Sequence, residues 1–249
     1  MLNFIIGEKG SGKTAAAHRI IGQCAEKGES VMLIVPRQFS FESDKSILSL
    51  LGPRLASEIE VLSFKRLCDE GIRRYGTKNK PVATAGVKNI LMYLAVDAMN
   101  EQLTAFEKHK KDIALSKKML QSITELKNTG ISAEELLSCA EKIDDGILAG
   151  KMKETAMIFS AYDTLLSQKF FDEADLLTYM ASVLAGTDYF SDRIVVIDGY
   201  SDFSFGELKI IEQMLIKAKE VYITLCCSVA CCFCTHLCVS ATRTACCYG

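Results

Sequence analysis

The sequence predicts an α/β fold: a mostly parallel sheet whose chain is interrupted by a long all-helical insertion. Three observations predict it. Apolar runs of strand length alternate with helical patterns up to Gly76 and resume after about residue 187. Residues 77–186 contain no convincing strand and carry successive segments with helical periodicity. Near the start, Gly7-Glu8-Lys9-Gly10-Ser11-Gly12-Lys13-Thr14 fits the phosphate-loop pattern G-x-x-x-x-G-K-[ST], set between a strand-like run and a helix. Such a match arises by chance in roughly 1% of chains this long, so it outweighs the competing reading of an ordinary glycine-rich βα turn.

The elements follow in order. Leu2 to Ile6 is an apolar run of strand length, and Thr14 to Lys27 is helical, with Ala17, Ile20, Ile21 and Cys24 on one face and Gly28 as its stop. Ser30 to Val35 is a buried-type strand closed by Pro36. Phe41 to Leu51 is a short helix ended by Gly52-Pro53, and Glu58 to Leu62 is a third strand. Ser63 is placed to cap a helix over Phe64 to Tyr75, with Gly76 after it. In the insertion, helices are expected near 85–100, 105–128, 133–144, 151–168 and 173–184, punctuated by Thr129-Gly130 and by Gly146 to Gly150. Arg193 to Asp198 is an apolar strand ending in a carboxylate, Phe205 to Ala218 is helical, and Val221 to Leu225 is a further strand. The domains expected are a sheet domain of residues 1–76 and 187–225, a helical insertion over 77–186, and a cysteine-rich tail over 226–249.

The phosphate loop carries specific chemistry. Gly7, Gly10 and Gly12 let the backbone curl so that N–H groups, including that of Ser11, point at a phosphate. Lys13 can reach the β- and γ-phosphates, and the Thr14 hydroxyl can ligate Mg²⁺. A helix N-terminus adds its dipole and unpaired N–H groups. The partner acid for Mg²⁺ belongs at the C-terminal end of a neighbouring strand, where Asp198 stands. Lys13 and Asp198 are therefore the candidate catalytic pair, and Thr14 and Asp198 the candidate metal ligands. The next residue departs from an active site. Many ATPases place there a Glu that orients the attacking water, whereas this chain has Gly199. Asp202 or Glu207 are the nearest substitutes; otherwise hydrolysis is slow and nucleotide binding is structural or regulatory. If Asp198 and Gly199 occupy the metal-acid and water-orienting positions, Gly199→Glu is expected to raise hydrolysis.

These segments together resemble the N-terminal region of superfamily-1 helicase-like proteins, most specifically the AddB family of bacterial ATP-dependent helicase/deoxyribonuclease B subunits. Phe4 to Thr14 is similar to the family's opening strand and loop, and Met32 to Phe41 to its "LLVPEQATF" segment. Val61 to Leu67 resembles "VLSFxRL", Phe171 to Leu177 resembles "hDxxDLL", and Ile197 to Phe203 resembles "IDGFxxF". Where active helicases have D-E-x-Q-D, this chain has Asp198-Gly199-Tyr200-Ser201-Asp202. The resemblance covers about residues 2 to 225. It implies an α/β P-loop NTPase (RecA-like) parallel sheet with a large α-helical insertion, with ATP and Mg²⁺ as cofactors. It further implies DNA repair and recombination through processing of double-strand DNA ends, as one subunit of a heterodimer. In that family the A subunit is the motor, while the B subunit scans for a hotspot sequence and carries a C-terminal nuclease domain with an iron–sulfur cluster. This chain stops before any such domain and before a second RecA-like domain with its arginine finger. It is expected to be a fragment or a gene broken partway, and alone neither to unwind nor to cut DNA.

Two other classes compete. A small-molecule or nucleoside kinase shares the phosphate loop but usually needs a lid of arginines, and no such cluster lies near this one. A non-hydrolysing, nucleotide-gated interaction module is favoured by Gly199. For DNA, single-stranded or at a duplex end, the candidates are Gln38 with Arg37, and Ser63, Phe64 and Arg66, in the segment where helicases contact single strands. Phe64 could stack on a base, with core packing at a helix start as the alternative. The densest basic cluster, Lys108-His109-Lys110-Lys111 with Lys117 and Lys118, is expected to be a solvated helix face.

Composition narrows the partners. Net charge is −2 from 29 basic and 31 acidic residues, so any nucleic-acid site must be a local patch. With 49% hydrophobic residues a substantial core is expected. No run reaches membrane-spanning length and no signal peptide is evident, so a cytoplasmic location with no membrane partner is expected. Of 11 cysteines, eight crowd into Cys226 to Cys247, where adjacent pairs and one C-x-C lack the separated pairs of a zinc module. A frameshifted or otherwise non-native C-terminus is expected there rather than a metal site.

Overall fold

The computed structural model describes residues 1–76, 80–109 and 112–227. Lys110, Lys111 and the tail cysteines from Cys231 onward lie outside the described residues. The chain divides into two compact units: Met1–Gly76 with Tyr179–Phe203 and Glu207–Gly249, and Thr77–Thr178 with Ser204–Gly206.

The first unit is built on five strands: β1 (Leu2–Gly7), β2 (Ser30–Ile34), β3 (Ile59–Leu62), β4 (Arg193–Ile197) and β5 (Glu220–Cys226). All pairings are parallel, in the order β1-β5-β4-β2-β3. The α/β class with a parallel sheet is thus as the sequence predicts. The strands are nearly continuous runs of Val, Ile and Leu because the central ones are covered on both faces. Met32, Leu33 and Ile34 of β2, and Val195, Val196 and Ile197 of β4, are fully buried. Helices α1 (Lys13–Glu26), α2 (Ser40–Ala56) and α3 (Phe64–Tyr75) follow β1, β2 and β3. Ala17 and Ile21 of α1 and Ile47 of α2 share a core with Val31, Leu33, Val35 and Val196 of the sheet. Helix α2 extends past the expected stop, but Gly52 breaks it with a non-helical backbone immediately before Pro53. Ser63 caps α3 by accepting from Arg66 N at 3.3 Å, a bond worth about 1 kcal/mol.

The second unit holds α4 (Ala85–Ala98), α5 (Ile113–Thr129), α6 (Ala133–Ala140) and α7 (Gly146–Lys169). Helix α8 (Glu173–Ala185) then leads to the sheet, and α9 (Phe205–Lys217) connects β4 to β5. Met92, Val96, Ile123, Phe159, Tyr162 and Leu166 form the helical core. Two expectations are corrected here. The helix near 105–128 starts only at Ile113, with a separate 3-10 turn over Glu107–His109. The cause is Glu154, a buried carboxylate that takes the N–H groups of Thr104, Ala105 and Phe106 at 2.7, 2.6 and 3.0 Å, and the Thr104 hydroxyl at 2.8 Å. Gly146 and Gly150, expected as punctuation, lie inside α7, because Asp145 caps that helix through Ile147 N and Leu148 N at 2.9 and 3.2 Å. Lys127 of α5 anchors the Phe171–Leu177 segment. Its ammonium lies 2.8 Å from Asp175 and 3.8 Å from Asp172, and 2.7 Å from Asp163 of α7.

Candidate functional site

The phosphate loop leaves the C-terminal end of β1, the edge at which parallel sheets bind ligands. Gly10 and Gly12 both have φ of +85°, a left-handed backbone that costs other residues about 1–2 kcal/mol. Gly7 is required for another reason: a Cβ there would collide with Ser11 Oγ. The curl is closed by Ser11 N donating to Glu8 O at 3.1 Å, and α1 starts with Ala16 N donating to Gly12 O at 2.9 Å. No acidic residue stands in the first turn of α1, so nothing on the helix competes with an anion for its free N–H groups. Lys13 Nζ folds over the loop and donates to Gly7 O at 2.9 Å and Glu8 O at 2.7 Å. Among the described residues it has no carboxylate partner, so its charge is held by neutral carbonyls that a phosphate can outcompete. Thr14 is exposed at the head of α1.

Asp198 follows β4 and is only 6% exposed. Its backbone N donates to Ile34 O at 2.9 Å, and its Oδ1 accepts from Thr224 Oγ1 at 2.6 Å. Its negative charge acts on His18, one turn beyond Thr14 on α1. Burial pushes the His18 imidazole below its ordinary range, and the Asp198 carboxylate opposes that shift. His18 Nε2 is buried with no partner among the described residues. The acid thus faces the helix that carries Lys13 and Thr14. The donor set, a hydroxyl and a carboxylate beside a glycine loop with a lysine, fits a Mg²⁺–nucleotide rather than a soft metal. Among the described residues no group of three or more His, Cys, Asp or Glu could hold a metal ion.

Gly199 is not simply a glutamate position that has lost its side chain. Its φ is +82°, and a Cβ would stand 3.4 Å from Pro36 Cδ. Its N donates to Thr224 Oγ1 at 3.3 Å. The backbone itself is set in a glycine conformation, so a glutamate there is strained. Of the proposed substitutes, Asp202 is a surface residue whose carboxylate accepts from Ser201 Oγ at 3.1 Å. Glu207 is half-buried and acts on Tyr200 and Cys68, helping burial to push the Cys68 thiol up to about 12.

The DNA candidates divide by exposure. Gln38 and Arg37 are exposed on a 3-10 turn after β2, and Arg66 is exposed on α3. Ser63 is buried as a helix cap. Phe64 is 3% exposed, and its ring packs edge-on against Tyr200 at 5.4 Å and Phe203 at 6.4 Å. That is the core-packing alternative, and it leaves no ring face for a base. Sequence reasoning missed Thr224 and His18. The signal available for Thr224 was a small hydroxyl residue directly after Ile223, on a strand whose buried positions are otherwise aliphatic. Lys117 and Lys118 are exposed on α5, and no helix among the described residues is long and apolar enough to cross a membrane.

Comparison of the sequence with known proteins finds a family match. The family model described as ADDB, N-terminal, matches residues 4–231. The B subunit of the ATP-dependent helicase/deoxyribonuclease of Clostridium tetani is 32% identical over 230 residues, 90% of this chain and 20% of that protein. The protein of the same name from Thermoanaerobacter sp. is 31% identical over 226 residues, and that from Ruminiclostridium cellulolyticum 30% identical over 228, with the same coverage. The chain thus spans about a fifth of the length of these curated relatives.

Proposed function

The chain belongs to the AddB N-terminal family, and from that membership we propose that it is the ATP-binding, helicase-like part of a helicase–nuclease subunit. Its work, on this reading, is processing of double-strand DNA ends for recombinational repair, beside an A-type partner subunit. The family match and the names of the relatives support the role. The observation that carries the nucleotide reading is the loop itself. Three glycines curl it, no acid stands at the helix start, and the Lys13 ammonium rests on carbonyl oxygens rather than in an ion pair.

In this reading the N–H groups of the loop and of the α1 start would hold the phosphates, and the Lys13 ammonium, now on the carbonyls of Gly7 and Glu8, would supply its charge to them. Thr14 and Asp198 would hold Mg²⁺, which when bound would supply positive charge against the phosphates. Exposed Gln38, Arg37 and Arg66 lie at the same strand ends and supply polar and charged contacts for a DNA strand. ATP binding with and without single-stranded DNA tests the reading: DNA should alter ATP affinity or turnover if the two sites communicate.

A second reading is favoured by Gly199. The residue directly after Asp198 carries no acid to activate water, and its backbone is set in a glycine conformation. A nucleotide-gated module that binds ATP tightly and turns it over slowly accounts for both. Steady-state ATPase measured beside equilibrium binding separates the two readings.

A further inference from the structure

We propose that Thr224 is the positioning residue for Asp198: its hydroxyl fixes the carboxylate for Mg²⁺–nucleotide and links the acid strand to the phosphate-loop strand. The proposal deepens the nucleotide reading above and rests on it. Thr224 lies on β5, the strand between β1 and β4. The register sets it opposite Ile5, two residues before Gly7, and sets its neighbour Ile223 opposite Ile197, so Thr224 stands beside Asp198. Its Oγ1 donates to Asp198 Oδ1 at 2.6 Å and accepts from Gly199 N at 3.3 Å. One proton and one lone pair are thereby committed to two consecutive residues of the acid turn.

Both side chains are buried, Thr224 at 3% exposure and Asp198 at 6%. Water therefore cannot replace the bond if the hydroxyl is removed. No other side-chain donor to Asp198 is found among the described residues. A carboxylate held at one oxygen cannot rotate freely, and Oδ2 keeps a defined direction with no donor on it among the described residues. That is the condition for a metal-binding acid, whose affinity depends on the groups that orient it. A hydroxyl buried in an apolar strand is otherwise costly, since Val221 and Ile223 on the same strand are buried aliphatics.

The test uses the 249-residue chain, titrated with a fluorescent mant-ATP in Mg²⁺ and again in EDTA. The readout is the ratio of the two affinities. Wild type should show a Mg²⁺-dependent gain. Thr224→Val, close in shape but without the hydroxyl, should reduce that gain by about tenfold or more. Thr224→Ser, which keeps the oxygen, should preserve it. An undiminished gain in Thr224→Val overturns the proposal, as does a Thr224→Ser variant that behaves like Thr224→Val. Equal loss of both affinities in Thr224→Val also overturns it, since it marks a merely structural residue. No nucleotide binding by wild type in either condition overturns the nucleotide reading itself, a result distinct from these three.

Discussion

Gly199→Glu separates what the turn after Asp198 can do from what its sequence suggests. The turn has φ of +82° at Gly199, and a residue with a Cβ pays about 1–2 kcal/mol to adopt it. The added Cβ would meet Pro36 Cδ at 3.4 Å and Phe39 Cδ2 at 3.8 Å, ordinary contacts that add little. Relaxing the turn to negative φ instead disturbs the bond from Gly199 N to Thr224 Oγ1, worth about 1 kcal/mol. Either route lowers stability by about 1–2 kcal/mol and sets the glutamate on a strained or displaced turn. Urea unfolding of wild type, Gly199→Ala and Gly199→Glu should show similar losses in both variants. ATP turnover with single-stranded DNA should not rise in Gly199→Glu. A variant as stable as wild type with faster hydrolysis would refute the reasoning and restore the simple view of a missing side chain.

Other outcomes follow from the same geometry. Glu154→Gln replaces an acceptor-only carboxylate that binds three N–H groups and a hydroxyl, so one donor is left facing an amide N–H. The expected loss is about 2–3 kcal/mol in urea unfolding. Burial alone would raise the Glu154 carboxyl, but those hydrogen bonds bring it below its ordinary range. Its contribution is therefore complete above the unfolded carboxyl value of about 4.3 and is lost as pH falls through the folded value. Glu154→Gln should flatten that acid limb of the stability curve. Phe64→Ala should destabilise the fold by about 3–5 kcal/mol, as a buried ring would, whereas Arg66→Ala should leave stability within about 0.5 kcal/mol and weaken single-stranded DNA binding.

The legible parts of the chain are those written in local pattern. The run Leu2 to Thr14 announces strand, loop and helix because period, glycines and helix start are all contiguous. The apolar run ending at Asp198 likewise gives away its strand. The parts that are not legible depend on partners distant in sequence. Glu154 reaches back about 50 residues to take the N–H groups of residues 104–106, so helical periodicity there never becomes a helix. Thr224 meets Asp198 only because β5 lies beside β4, which no local spacing reveals. Gly146 and Gly150 look like breakers because propensity ignores the cap that Asp145 supplies. At Gly199 the identity is visible but the left-handed backbone is not, and the backbone decides whether a glutamate can be tolerated.

The central claim is that the glycine loop holds ATP through Lys13. Calorimetric titration of ATP·Mg²⁺ into wild type and Lys13→Ala tests it most directly. The loss of charge-assisted bonds to two phosphates predicts clear binding by wild type and an affinity at least about tenfold lower in Lys13→Ala, with the free variant still unfolding cooperatively on heating. Equal affinity in the two proteins, or no binding by wild type, would contradict it.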